Sequence, residues 1–267
     1  MFKSNLVVQH KAHLVELFSS VQGEGVYVGE RQIFVRFYGC HLKCHYCDTP
    51  ESVTAQHTHG HQPKTFRFEQ TPGQRDIEDI PNPTHDTPLA DLVSHLDQPK
   101  GLHHSVAITG GEPLVHKNFL ETFLPILKSN GYQTYLETSG DLAKPFNTIK
   151  NHIDMVAMDM KLPSVTKDRE QWIEHREFLK VCIESNTTTF VKSVMNADTN
   201  VGDIIQAVKI IKTIDSTTPF IIQPMSSFGL AQNPPSPSQL LEWQKIAKEY
   251  ISDVRVIPQC HKMMGQL

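Results

Sequence analysis

The sequence lacks any block of lysine and arginine: 25 Lys and Arg stand against 29 Asp and Glu, a formal net charge of −4. Nonspecific nucleic-acid affinity comes from neutralising many phosphates together, so a broad nucleic-acid-binding face is excluded. Long hydrophobic runs are missing too. Gln9, His10, Lys11 and His13 break up the N-terminal stretch MFKSNLVVQHKAHLVELF, denying it the continuous apolar region of a secretory signal, and no later run is long enough to span a bilayer. A cytoplasmic protein without membrane contact is expected. Cysteine is scarce, five in 267 residues, and an odd count makes a poor disulfide framework. There is no internal repeat.

What is present is enough apolar sequence, 39% of the chain, for one sizeable core. A single domain over 1–267 is expected, with a polar loop insertion at about 51–86 rich in His, Pro, Gln and Thr. From Gln32 to Tyr38 a strand candidate runs into a cysteine loop. After the insertion a βα alternation begins: a helix after Thr87-Pro88 with Leu89, Leu92, Val93 and Leu96 on one face, then the strand Ser105 to Ile108. Phe119, Leu120, Phe123, Leu124 and Leu127 predict a second helix, with Gly131 as its stop and a kink at Pro125.

Further strands are predicted at Thr134 to Glu137, Met155 to Met158, Thr189 to Val194, Phe220 to Gln223 and Val254 to Pro258, with helices near Asp203 to Ile214 and Ser238 to Ile251. Strands separated by helices argue for a parallel sheet. About six or seven strands fall short of the eight of a complete barrel, so the fold class is α/β, an incomplete TIM-like barrel of parallel strands with outer helices. A doubly wound open sheet is the competing architecture.

Three of the five cysteines sit in the stretch GCHLKCHYCDT, as C-x3-C-x2-C at Cys40, Cys44 and Cys47. A structural zinc would need a fourth ligand, from His41, His45 or the distant Cys260. A cubane iron–sulfur cluster takes one thiolate per iron, so three cysteines leave one iron open to an exogenous ligand. The turn Thr109-Gly110-Gly111-Glu112-Pro113 follows a strand, where ligand sites of parallel folds lie. Its two glycines let backbone approach a ligand, and Glu112 could accept an ammonium. Alone such a turn is weak evidence, since turns use Gly and Pro for ordinary geometry.

The cysteine loop, with Tyr46 directly before its third cysteine, and the later TGGEP together resemble the radical S-adenosylmethionine (SAM) superfamily. The resemblance implies a 4Fe–4S cluster on Cys40, Cys44 and Cys47, with SAM on the open iron cleaved reductively to methionine and a 5′-deoxyadenosyl radical. Further segments, SVQGEG at 20–25, FVR at 34–36, CDT at 47–49, ETSG at 137–140, QPM at 223–225 and IPQCHK at 257–262, are similar to the 7-carboxy-7-deazaguanine synthase family over nearly the whole chain outside the insertion. That family implies a lyase of 7-deazapurine (queuosine) biosynthesis, a tRNA-modification pathway. It converts 6-carboxy-5,6,7,8-tetrahydropterin to 7-carboxy-7-deazaguanine and ammonia, regenerating SAM, with Mg2+ on the substrate carboxylate. It further implies flavodoxin or ferredoxin as electron donor and a homodimer.

Carried onto this chain, the resemblance assigns SAM contacts to Tyr46, Asp48, Gly111, Glu112, Asp159, Met160, Lys161, Gln223, Pro224 and Met225, and Mg2+ to the Thr49 hydroxyl. It assigns substrate contacts to Val21, Gln22, Gly23, Glu24, Arg36, Thr109 and His261, and to the carboxylate of Leu267. Arg36 would grip the substrate carboxylate in a bidentate pair, and Gln22 and Glu24 would read the pterin edge. Where the family usually reads Ser-Pro-Lys, this chain has Asp159-Met160-Lys161, with Asp159 as a substitute ribose acceptor. Bland readings stand beside these: Arg36 as a snorkelling surface cation, Gln22 and Glu24 as turn residues, Cys182 and Cys260 as small buried apolar groups, and His57, His59 and His61 as a solvated tract without metal. The rival functions are a glycyl-radical-enzyme activase of the same superfamily and a zinc-stapled module without catalysis.

Overall fold

The structure, a computed structural model, describes residues 10–53, 62–227 and 232–266. Its first strands are β1 (Lys11–Ala12), β2 (Leu14–Val21) and β3 (Arg31–Phe37). The segment read as a loop insertion contributes sheet as well: β4 (Thr65–Glu69) pairs antiparallel with β5 (Ile77–Pro81), and Phe66 and Phe68 are buried. The alternation of those two phenylalanines with Thr65, Arg67 and Glu69 is a half-buried strand pattern overshadowed by the surrounding polar composition. The His57, His59 and His61 tract lies outside the described residues.

Then come β6 (Thr84–His85), α1 (Asp86–Leu96), β7 (Ser105–Gly110), α2 (Lys117–Ser129), β8 (Thr134–Thr138), α3 (Ala143–Ile149) and β9 (Met155–Asp159). The chain continues with α4 (Pro163–Thr166), α5 (Trp172–Glu184), β10 (Thr188–Met195), α6 (Val201–Asp215), β11 (Phe220–Pro224), α7 (Pro237–Lys248), β12 (Val254–Val256) and α8 (Cys260–Met263). Helix α2 runs unbroken through Pro125, and Gly131, at φ +84°, follows its end as expected. Ser236 and Gln239 form a reciprocal capping box that starts α7.

Among the described residues ten strands form one sheet in the order β12-β11-β10-β9-β8-β7-β3-β2-β4-β5. The seven from β3 to β12 are mutually parallel, the number the βα alternation predicts. Edge strands β12 and β5 do not pair with each other, so the barrel is incomplete. The parallel strands read as apolar runs because both faces are covered. One face carries the large core under the helices, including Phe119, Phe123, Phe146, Phe178 and Ile211. The other bears Phe18, Phe34, Ala107, Tyr135, Ala157, Phe190 and Ile221, one from nearly every strand. No described helix is long and apolar enough to cross a membrane.

Candidate functional site

The C-terminal ends of the parallel strands converge on one pocket. β3 delivers the cysteine loop, β7 delivers Thr109, Gly110 and Gly111, β8 delivers Glu137, Thr138 and Ser139, and β9 delivers Asp159 and Lys161. β10 adds Lys192 and Val194, β11 adds Gln223 and Met225, and the segment after β12 adds Gln259, His261 and Lys262. The Val21–Glu24 segment closes the remaining side. This is the end of a parallel barrel where side chains from different strands meet.

The cysteine loop is held by backbone. Gly39 N–H donates to Ser52 O at 2.7 Å, Glu112 N–H to Gly39 O at 2.8 Å and Gly111 N–H to Phe37 O at 3.1 Å. A Cβ on Gly111 would lie 2.3 Å from Gly39 O, so only glycine permits this approach. Cys40, Cys44 and Cys47 all line the pocket and are half-buried. Burial pushes the Cys44 thiol up to about 11 and raises Cys47 as well, so metal binding there would release protons.

His41 is tied elsewhere. Its Nε2 bonds Asp141 Oδ2 at 2.6 Å, while Asp141 also accepts from Ser139 Oγ and Gln171 Nε2. Burial opposes charge on His41, but the hydrogen bond to Asp141 outweighs it and lifts the imidazolium to about 10. His45 is exposed and Cys260 does not line the pocket, so the three candidates for a fourth zinc ligand are all placed otherwise. Three soft thiolates on one loop fit an iron–sulfur cluster with an open iron.

Most predicted residues assemble here: Val21, Gln22, Gly23, Glu24, Arg36, Tyr46, Asp48, Thr49, Thr109, Gly111, Asp159, Lys161, Gln223, Met225 and His261 line the pocket with the cysteines. Three do not. Glu112 is fully buried and its carboxylate accepts from Leu114 N, Thr138 Oγ1, Ser139 N and Ser139 Oγ, so it staples the β7 and β8 turns instead of receiving an ammonium. Met160 lies in the core, its N–H given to Lys192 O and its C=O taken by Ser193 Oγ. Pro224 does not line the pocket, and Leu267 lies outside the described residues.

Several side chains that do line it are already partnered. Gln22 Nε2 donates to Glu137 Oε1 at 2.8 Å and to Gln32 Oε1 at 2.9 Å, and its Oε1 accepts from Glu24 N. Its side chain therefore shapes the turn instead of reading a ligand edge. Thr109 Oγ1 donates to Glu137 Oε2 at 2.7 Å. Arg36 gives its Nε to Glu16 at 2.6 Å, so a bidentate grip on a ligand must come from its two terminal nitrogens. Cys182 is buried in the core as expected, whereas Cys260 is half-exposed and its N–H donates to Gly23 O at 2.8 Å.

Two residues outside the predicted set organise the charge. Lys192, buried on β10, lies 2.5 Å from Glu24 Oε2 and 3.4 Å from Asp159 Oδ2. Burial works against these charges, yet the contacts prevail: Glu24 and Asp159 are held below the usual carboxylate range and Lys192 above the usual ammonium range. A lysine inside the apolar run Phe190-Val191-Lys192-Ser193-Val194 was the signal available in the sequence. His175, fully buried on α5, accepts Lys161 N–H at Nε2 and bonds Gly140 O through Nδ1, joining the β8 and β9 exits. Among the described residues Asp159 Oδ1 and Gln223 Oε1, both on pocket-lining residues, are buried without a hydrogen-bond partner, two acceptors that suit the hydroxyl and amino donors of an adenosyl ligand.

Residues 34–218 match the Radical SAM superfamily. The chain is 39% identical to a 7-carboxy-7-deazaguanine synthase of Geobacter sulfurreducens over 96% of this chain and 98% of that protein. It is 33% identical to one of Methanothermobacter thermautotrophicus at the same coverage. The crystal structure of QueE from Escherichia coli superposes with a TM-score of 0.60, covering 95% of each chain at 22% identity, and so shares the fold. With three pocket-lining cysteines on one loop and relatives matched end to end, the chain belongs to the radical SAM superfamily and, within it, to the 7-carboxy-7-deazaguanine synthase family.

Proposed function

We propose that this chain, as one domain, converts 6-carboxy-5,6,7,8-tetrahydropterin to 7-carboxy-7-deazaguanine with loss of ammonia. The observation that carries the reading is the shared pocket: the cysteine loop, the Gly110-Gly111 turn, the Gln22–Glu24 segment and His261 all line it. Cys40, Cys44 and Cys47 would hold the cluster, and Gly111 lets the loop sit close against the β7 turn. Bound together, cluster and SAM supply an adenosyl radical able to remove and return one substrate hydrogen. Asp159 Oδ1 is the ribose acceptor, held in place because Lys161 and Lys192 occupy Oδ2 at 2.8 and 3.4 Å.

Glu24, kept anionic by Lys192, faces the donor-rich guanidine-like edge of the pterin, and the Arg36 terminal nitrogens face its carboxylate. The Thr49 hydroxyl, 3.9 Å from the Cys47 sulfur, is the protein oxygen for Mg2+, a hard ion that would take its other ligands from substrate and water. Burial keeps His261 neutral at physiological pH, so it can accept as well as donate. A one-electron donor of the flavodoxin or ferredoxin type, a homodimer and a cytoplasmic setting complete the reading and rest on the family.

The test is anaerobic turnover of the reconstituted protein with dithionite, SAM, Mg2+ and 6-carboxytetrahydropterin, with the deazapurine followed by mass spectrometry. Product from the native chain and none from Cys44→Ala is expected. SAM cleavage without deazapurine would keep the radical chemistry and reject the substrate.

Gly23→Ala tests the substrate side. Its Cβ would fall 2.1 Å from His261 Nδ1 and 2.5 Å from His261 Cβ, so the terminal segment must shift. The Michaelis constant for the pterin is expected to rise about tenfold, a loss of ~1.4 kcal/mol, while SAM affinity stays unchanged. Equal losses in both would place His261 outside substrate recognition.

A further inference from the structure

The cysteine loop has two sides. Cys40, Leu42 and Cys44 line the pocket, whereas His41 between them lines a separate surface groove with Lys11, Val115, His116, Lys117 and Leu142. None of the described residues lining that groove is acidic, although the chain as a whole carries a net charge of −4. Lys11 is exposed and Val115 is 44% exposed, so the groove offers cations around an apolar spot. The nearby carboxylates include Asp141, which pairs with His41, the fully buried Glu112, whose Oε1 accepts from Leu114 N, and Glu121, 3.7 Å from the Lys117 ammonium on the same helix.

Under the function proposed above, the pocket side of the loop is filled by SAM and substrate. Reductive cleavage of SAM consumes an electron, and the two cysteines beyond the loop, Cys182 buried on α5 and Cys260 on α8, are too few for a second cluster to store one, so the electron comes from outside. The groove reaches the loop one residue from Cys40 without entering the pocket. We propose that this groove is the docking surface for an acidic one-electron carrier protein, whose reduced flavin is oxidised by one electron, releasing its proton to solvent, as the cluster is reduced by one. Opposite charge steers such encounters and raises their rate by about tenfold or more at low salt.

The double charge reversal Lys11→Glu with Lys117→Glu tests this, because neither residue touches the pocket. SAM cleavage is measured with two reductants: dithionite, and an acidic flavodoxin kept reduced by NADPH and its reductase. With dithionite the variant is expected to match the native rate within about twofold. With flavodoxin, kcat/KM for the carrier is expected to fall at least tenfold at low ionic strength, and the gap to narrow as salt screens the charges. An unchanged flavodoxin-driven rate would overturn the proposal, the outcome expected if a second copy of the chain covers the groove. A second copy would also show as a changed sedimentation mass. Equal losses with both reductants would overturn it too, by placing the damage at the cluster. Because SAM cleavage is the readout, the result does not depend on the pterin being the substrate.

Discussion

Lys192→Met is expected to lower kcat/KM for the pterin at least about a hundredfold, which is ~2.7 kcal/mol, and to destabilise the protein by about 3 kcal/mol. The lysine is 8% exposed and its ammonium is the shared partner of Glu24 and Asp159, which come from the Gln22–Glu24 segment and the end of β9. Removing one partner of a buried pair is costly because the charges left behind stay desolvated. The loss should go no higher than that, since Gln259 Nε2 still reaches Glu24 at 2.7 Å and Lys161 still reaches Asp159 at 2.8 Å. Lys192→Arg keeps the charge and should recover most of the stability, but less of the activity, because a guanidinium fork does not fit the place of a compact ammonium. Thermal unfolding alongside steady-state kinetics checks both parts. A Met variant within threefold of native kcat/KM would mean that Glu24 needs no ammonium to act.

The second large effect is expected from Gly111→Ala. The added Cβ would lie 2.3 Å from Gly39 O and 2.7 Å from Ser52 O, and both obstacles are backbone, so neither can rotate away. Relief requires the base of the cysteine loop to move by roughly 1 Å, a displacement that alone can cost about a hundredfold in rate when reacting groups are misplaced. Iron and sulfide content after anaerobic reconstitution should fall, and turnover with it, while far-ultraviolet circular dichroism stays native because the sheet below is untouched. Full cluster loading with at least half the native turnover would show that the loop can slide without losing its function. Gly110 is a poorer probe: its φ of +133° and the Phe37 backbone 2.2 Å from any added Cβ put the strand itself under strain, so its replacement would confound folding with function.

Chemistry that depends on residues close in sequence was legible from the chain. Cys40, Cys44 and Cys47 occupy one loop, and Thr109 to Pro113 one turn, so their spacing pointed to a metal or cluster site, and the resemblance of the two motifs together to the radical SAM superfamily chose the cluster over zinc. The parallel strands after the loop were legible for a similar reason, since each is a local apolar run punctuated by a helix with its own periodicity. Strand β2 and the β4–β5 hairpin were not: β2 runs into the Gln22–Glu24 turn, and the hairpin hides two buried phenylalanines in polar surroundings. Helix α5 was also missed, because its buried face mixes His175 and Cys182 with Phe178 and Leu179 and so reads as mixed.

By itself, then, the sequence determined the parallel α/β architecture through local apolar runs and, through its resemblance to a known family, the cluster-and-SAM chemistry and most of the residues that line the pocket. Only the tertiary structure decided how those residues spend their hydrogen bonds. Glu112 turned out to be a staple, Gln22 a brace for Glu137, and Lys192 the cation between two distant carboxylates. Such partnerships join residues 26 to 168 positions apart, from Glu112 with Thr138 to Glu24 with Lys192, and no local pattern records them. A buried polar group must find a partner wherever the fold brings one, and that choice is made only when the strand ends meet.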